Sequence, residues 1–255
     1  MKFKWLIQSK DVAKVEALII ETAKRSFVLN RIERNVPARR LKITRDKFWF
    51  AMLGCLMTTQ QRSGPDSQVS QFINSKPFPL KLKVCGTGNT HKKVERTLTK
   101  FGGIRRAPTI AQQATDNLAW LESGGWREVR SQISTLSRSR FRRPRSEDWI
   151  KERRAAKFID KELKGFGPKQ SRNLWQWLGL ARYEIPLDSR IVRWLNAEVF
   201  PWTLSAQALA DPNYYEFVMD SVRALCSRAG VLPCVFDAAV FSLNERDWLA
   251  KELTN

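Results

Sequence analysis

The sequence predicts an all-α protein. Apolar residues recur at helical spacing along almost the whole chain, glycine and proline clusters cut it into helix-length segments, and strict alternation is confined to Leu80–Cys85. Hydrophobic residues make up 43% of the 255 and include ten tryptophans, enough to build a real core, so the chain is not a disordered polycation. Its 45 Lys and Arg against 25 Asp and Glu leave a formal charge of +20, which calls for a polyanionic partner. An anionic membrane is the weaker choice, because no apolar run approaches the roughly 18 to 20 residues of a span and the N-terminal MKFKWLIQSK lacks the apolar stretch of a signal peptide. Double-stranded DNA met in the cytoplasm, at the nucleoid, by a monomer with no obligate protein partner is the expected setting.

The elements follow in order. Val12, Val15, Leu18, Ile19 and Ala23 give residues 11–29 one apolar face, and the basic, Pro37-containing stretch 30–42 reads as a linker. Residues 46–60 are apolar on most sides, as a buried helix would be. The turn at 63–67 offers Asp66 or Ser67 as a cap for the next helix. LKLKVC at 80–85 alternates like a strand before Gly86 breaks it, so a minor strand pair is allowed there. A helix over 90–101 is closed by Gly102-Gly103, another over 109–123 by Gly124-Gly125, and a shorter one follows to Leu136. SRSRFRRPR, at 137–145, carries five arginines within eight residues and reads either as a solvated basic loop or as a phosphate-contacting one, with Arg142 and Arg143 as its contact candidates. Ser146 caps a long helix to Leu163. Two helical lobes are expected with a cleft between them, one of residues 42–184 and the other of 1–41 plus 185–255.

Cysteine and histidine usage narrows the chemistry. Cys55, Cys85, Cys226 and Cys234 contain no Cys-x-x-Cys pair, and His91 is the single histidine. Zinc sites, cysteine-ligated iron–sulfur clusters and a histidine-based triad are therefore not expected, and catalysis would have to run on Lys, Asp, Glu or Tyr.

The most informative stretch is LKGFGPKQSRNLWQWLGLARYEIPLDSRIVR, residues 163–193. It reads as a helix end, a tight turn at Gly165 and Gly167, a helix opened by Pro168, a loop, and a further helix starting after Asp188. Lys169 and Asp188 thus stand at two helix starts. A lysine there sits where the positive end of the dipole repels its charge, which marks it as a functional candidate. Asp188 reads both as an N-cap and as a reactive carboxylate.

The run Leu163–Lys169, followed about twenty residues on by Ile185-Pro186-Leu187-Asp188 and a helix, resembles the helix-hairpin-helix DNA glycosylases. The hairpin and chain length look closest to their archaeal-type 8-oxoguanine branch, which lacks an iron–sulfur cluster. The resemblance spans roughly residues 45–200 and departs from the common pattern at Lys164, where proline is usual. It implies a Schiff-base nucleophile at Lys169, an essential carboxylate at Asp188, and an insertion loop around Gln60, Gln61 and Arg62. It further implies DNA contacts at Gly165, Gly167 and Arg190, no cofactor, and at most a monovalent cation held by hairpin carbonyls. Trp175, Trp177 and Asp237 are base-pocket candidates, with Asp237 read rather as a helix cap. The implied function is excision of a damaged base, foremost 8-oxoguanine, with AP-lyase activity. A glycosylase for a hypermodified phage base and a non-catalytic DNA-binding module remain as alternatives.

Overall fold

The computed structural model describes residues 5–243, 245–249 and 252–253. Among them every regular element is helical, and there is no strand. Helix α1 (Ser9–Thr22) opens with a capping box in which Asp11 accepts from Gln8 N at 2.8 Å. The single helix expected over 11–29 is instead broken at 23–25, and α2 (Ser26–Asn35) runs into the stretch read as a linker. Neither glycine nor proline marks the break. It is held from afar, by the backbone N–H and hydroxyl of Ser26 donating to Asp247 at 2.9 Å each.

Helix α3 (Arg45–Met57), capped by Thr44, is buried from Phe48 to Met57 except at Phe50, as its lack of a polar face requires. Ser67 caps α4 (Gln68–Ile73), with its hydroxyl accepting from Ser70 N at 3.0 Å. The strand-like run at Leu80 is corrected to a short helix, α5 (Leu82–Cys85). The Trp49 indole donates to Leu80 O at 2.9 Å, and among the described residues no partner strand is present to make a ladder, so the alternation has nothing there to pair with.

Helices α6 (Thr90–Phe101) and α7 (Ala107–Trp120) pack closely, with Gly102 at φ 82° turning the chain between them. Gly124-Gly125 does not end a helix cleanly. A π-helical turn, Leu121–Gly125, with Gly124 at φ 126°, kinks the chain into α8 (Trp126–Arg140). That helix takes in the first residues of the expected basic loop. Ser146 is not the cap of α9 (Asp148–Glu162): the preceding residue is Glu147, with no side-chain cap bond, and Asp148 accepts from Arg145 N at 3.1 Å while pairing with Arg142. Then follow α10 (Pro168–Trp177), α11 (Ser189–Glu198), a 3-10 turn at Gln207–Ala210, α12 (Pro212–Arg228) and α13 (Pro233–Ser242).

The buried apolar side chains form two clusters. One runs from Phe48 to Ala181 and is centred on α3, α7, α9 and α10. The other joins Val15, Leu18 and Val28 to residues between Ile185 and Val240. No single helix among the described residues is long and apolar enough to cross a membrane.

Candidate active site

The hairpin is built from local rules and one distant anchor. Gly165 adopts φ 81°, a region that a side chain disfavours, and a Cβ there would meet the Gln113 side chain at 2.5 Å. Asn117 on α7 clamps the turn from below: its amide oxygen accepts from Lys164 N at 2.7 Å and its nitrogen donates to Lys164 O at 3.0 Å. Gly167 is the residue before α10, Pro168 its first, and Ser171 N returns to Gly167 O at 3.1 Å. Of the hairpin carbonyls, that of Lys164 accepts from Asn117 and that of Gly167 from Ser171. No group of three or more His, Cys, Asp or Glu among the described residues could hold a metal ion, and all four cysteines are free and buried.

Lys169 and Asp188 come together. Lys169 Nζ lies 3.7 Å from Asp188 Oδ2, with the lysine side chain partly exposed and the carboxylate largely buried. Asp188 Oδ1 caps α11 by accepting from Arg190 N at 2.9 Å and Ile191 N at 3.4 Å. Its Oδ2 also takes the Arg190 guanidinium, at 2.6 Å from Nη2 and 3.1 Å from Nε. Burial alone would raise the Asp188 carboxyl, but Lys169, Arg190 and the helix-start N–H together hold it below the ordinary carboxylate range. Arg190 is thus occupied at the site, lying over the Phe241 ring at 4.1 Å as well.

What keeps α10 in register with the Asp188 loop is a buried ionic joint that the sequence did not announce. Glu184, between the two, accepts from Arg172 Nε at 2.6 Å and from Arg153 Nε at 3.0 Å, with Arg223 at 3.5 Å. Glu152 accepts from three successive backbone N–H groups, those of Arg182, Tyr183 and Glu184, at 2.7 to 2.9 Å. The Tyr215 hydroxyl accepts from Leu187 N at 2.6 Å and donates to Ile185 O at 2.8 Å, which fixes the residues just before Asp188.

Behind the pair lies a cavity of about 150 Å³ lined by residues of both core clusters' segments. Lys169, Asn173, Gln176 and Trp177 form one face of α10 along it, the spacing that places side chains on one side of a helix. Phe27, Phe241 and Trp248 stack against one another and supply further aromatic wall. Trp177 is a wall residue too, and Gly54 makes its position available, since a Cβ there would stand 2.5 Å from the indole. Trp175 is not. It is buried on the opposite face of α10 against Phe48, in the first core.

Asp237 is corrected from a cap to an interior residue of α13, paired with Arg31 at 2.7 Å. Both residues line the cavity. Burial holds the Asp237 carboxyl above its usual range although Arg31 draws it down.

The remaining candidates divide. Gln60, after the end of α3, is exposed and adopts φ 59°, unusual for a side-chain-bearing residue and a sign of a constrained, outward-turned position. Gln61 is tied down: its amide donates to Met57 O and accepts from Arg105 N at 2.9 Å. Arg62 reaches Glu245 at 3.4 Å but stays largely in solvent. Of the five loop arginines, Arg140 is buried, with Nε on Gly179 O at 2.7 Å, and Arg142 is bound to Asp148. Arg138, Arg143 and Arg145 remain exposed. Sequence reasoning missed Gln176, Arg31, Trp248 and Glu184. A glutamine one helical face along from Lys169 was the one local signal available.

Neither a protein-family model nor a curated protein sequence matches the chain. Solved structures do. The 8-oxoguanine DNA glycosylase of Thermotoga maritima aligns over 91% of this chain and 95% of its own, at a TM-score of 0.59 and 16% identity. That of Methanocaldococcus jannaschii aligns over 93% of this chain and 95% of its own, at the same TM-score and identity. With two helical core clusters, a hairpin into α10 and Asp188 opening α11, the chain has the all-α fold of these two glycosylases.

Proposed function

We propose that the protein is a DNA glycosylase with AP-lyase activity, acting on a nucleotide flipped out of duplex DNA, with an oxidised purine such as 8-oxoguanine as the leading substrate. The observation that carries this reading is the approach of Lys169 Nζ to Asp188 Oδ2, 3.7 Å, at a cavity walled by aromatic side chains. A paired base hides its glycosidic bond in the stack, so the nucleotide must leave it. The C1′–N bond then breaks with its electron pair going to the base. The positive charge that develops on the sugar sits beside the Asp188 carboxylate, held ionised by its partners. Lys169 gives a proton to the departing base, and the freed amine pair bonds to C1′. Opening of the sugar ring converts the adduct to a Schiff base. Loss of a C2′ proton then expels the 3′ phosphate with the C–O electron pair, and water releases the lysine. The two glycosylases of like fold support this reading, as does the formal charge of +20.

Borohydride reduction tests it. With a duplex carrying 8-oxoguanine or an abasic site, the wild type should be trapped covalently, and Lys169→Gln should not, while its duplex affinity stays within a few-fold. Undiminished trapping in the variant removes Lys169 from the chemistry, and no trapping by the wild type on an abasic duplex removes the lyase.

A further inference from the structure

Two stretches distant in sequence form one basic face, at the end of the α9–α10 pair that lies away from the hairpin. Residues 36–43 contain no acidic residue, and residues 138–147 contain one, Glu147. The backbone joins the two stretches, with Arg39 N donating to Arg140 O at 3.1 Å. Two buried guanidiniums fix the rest. Arg140 donates to the carbonyls of Gly179, Arg34 and Val36, and Arg182 to those of Asn35, Val36, Pro37 and Arg142. Each arginine is 1% exposed, and neither has an ion pair among the described residues. Burying a cation is costly, and here two are spent on placing one segment. That placement leaves Arg39, Arg40, Lys42, Arg138, Arg143 and Arg145 exposed. None of the six has an ion pair among the described residues.

A duplex docked at the hairpin does not reach this face. Helix α9 runs from Asp148, beside the face, to Glu162, beside the hairpin, and its 15 residues span about 22 Å. Helix α10 returns the other way, and Gly179, just past its end, meets Arg140. The N–H groups that open a helix point along its axis, so a phosphate received at the start of α10 lies beyond that end, facing away from the arginines. We infer that the basic face holds a second DNA duplex by its phosphates while the first is docked at the hairpin. Binding at this face does not depend on the glycosylase reading, whereas its being a second duplex rests on that reading. Five of the six cations are arginines, whose planar fork suits phosphate oxygens. An anionic membrane is the weaker occupant. Phe141, 67% exposed, is the one exposed large apolar side chain in the two stretches, too little to insert among lipids.

Analytical ultracentrifugation with an excess of a short undamaged duplex counts duplexes per chain. The duplex is kept well below the persistence length, so that it does not bend round the protein. At low salt the wild type should carry two. The combined variant Arg39→Ala, Arg40→Ala, Arg143→Ala and Arg145→Ala should carry one, with the second binding step weakened at least about 10-fold. The combined variant Lys81→Ala, Lys83→Ala, Lys92→Ala and Lys100→Ala removes the same charge from exposed positions elsewhere and should still carry two. A single duplex on the wild type overturns the inference. If the arginine variant then binds it more weakly, the face lies along that same duplex, and if it binds equally well, the face is only solvated. Two duplexes on the arginine variant overturn the inference too, and so does an equal loss in the lysine variant, because charge alone would then set the count. Capture of the wild type but not the arginine variant by vesicles with anionic headgroups, with one duplex bound, gives the face to a membrane instead. Borohydride trapping on an abasic duplex, measured apart from this count, tests the glycosylase reading by itself.

Discussion

Two neighbouring regions of the molecule are equally buried and oppositely satisfied. In the joint between α9, α10 and α12, Glu184 receives three arginines and Glu152 three backbone N–H groups. Among the side chains that line the cavity, Gln176, Arg31 and Trp248 leave polar atoms unpaired. The first region is what a protein does with buried charge when nothing else will come. The second leaves groups unpaired in side chains that line the cavity beside the Lys169–Asp188 pair. The difference separates residues that hold the site together from residues whose polar groups the fold leaves unpaired.

The largest effect should come from breaking the satisfied region. Glu184→Ala leaves buried Arg172 without its carboxylate and takes one partner from Arg153 and Arg223, which keep Asp220, and should cost about 3–5 kcal/mol in unfolding free energy. Gln176→Leu, which removes an unpaired amide of similar burial, should cost less than about 1 kcal/mol. Urea unfolding of the two variants beside wild type checks the contrast. Similar losses for both would mean that the cavity is as structural as the joint.

The site itself lies between these extremes, because Asp188 both caps a helix and carries a charge toward the cavity. Asp188→Asn should lower single-turnover excision by roughly 10²-fold, since it deletes a charge that matters most in the transition state. Asn is also a good cap, so stability should fall by about 1 kcal/mol or less. The pH dependence has a fixed sign. The carboxyl is held below its unfolded value, so its ion pairs stabilise the fold above about pH 4 and fade only as the pH falls through the lower folded value. Excision within a few-fold of wild type would leave Asp188 a cap alone.

How much of this was legible depended on sequence distance. The hairpin, Lys169 and Asp188 could be read because Gly, Pro and Asp act on their immediate neighbours. Gly165 needs its positive φ, Pro168 opens α10, and Asp188 caps two N–H groups within three residues. The Arg31–Asp237 pair joins residues 206 apart, and Glu184 gathers arginines from 12 to 39 residues away, so no local pattern reports them. Asp237 looked like a cap for that reason: an aspartate near a helix start is locally indistinguishable from one meeting a distant arginine. The alternation at Leu80 failed differently. It is a true pattern without a partner strand, and the Trp49 indole on Leu80 O settled the backbone instead. Gln176 was overlooked because a polar residue in a helix reads as solvent-facing until burial is known.

The smallest and most surface-bound effect concerns the basic stretch after α8, where the same contrast between occupied and free groups divides one run of arginines. Arg140 is spent on the backbone at Gly179 and Arg142 on Asp148, whereas Arg143 and Arg145 are exposed. Only a guanidinium without an internal partner can release counterions by meeting a phosphate. If this loop lies along DNA, the double change Arg143→Ala and Arg145→Ala should flatten the plot of log binding constant against log salt by nearly 2, as two lost phosphate contacts require. Folding should be unaffected, because neither side chain is buried. Arg142→Ala should leave the slope as it is while loosening the start of α9. Equilibrium binding of an undamaged duplex over a range of salt concentrations measures both slopes. An unchanged slope in the double variant would make the loop a solvated face and move the phosphate track elsewhere. A slope that falls equally with Arg142→Ala would mean that Asp148 gives up its arginine when DNA arrives.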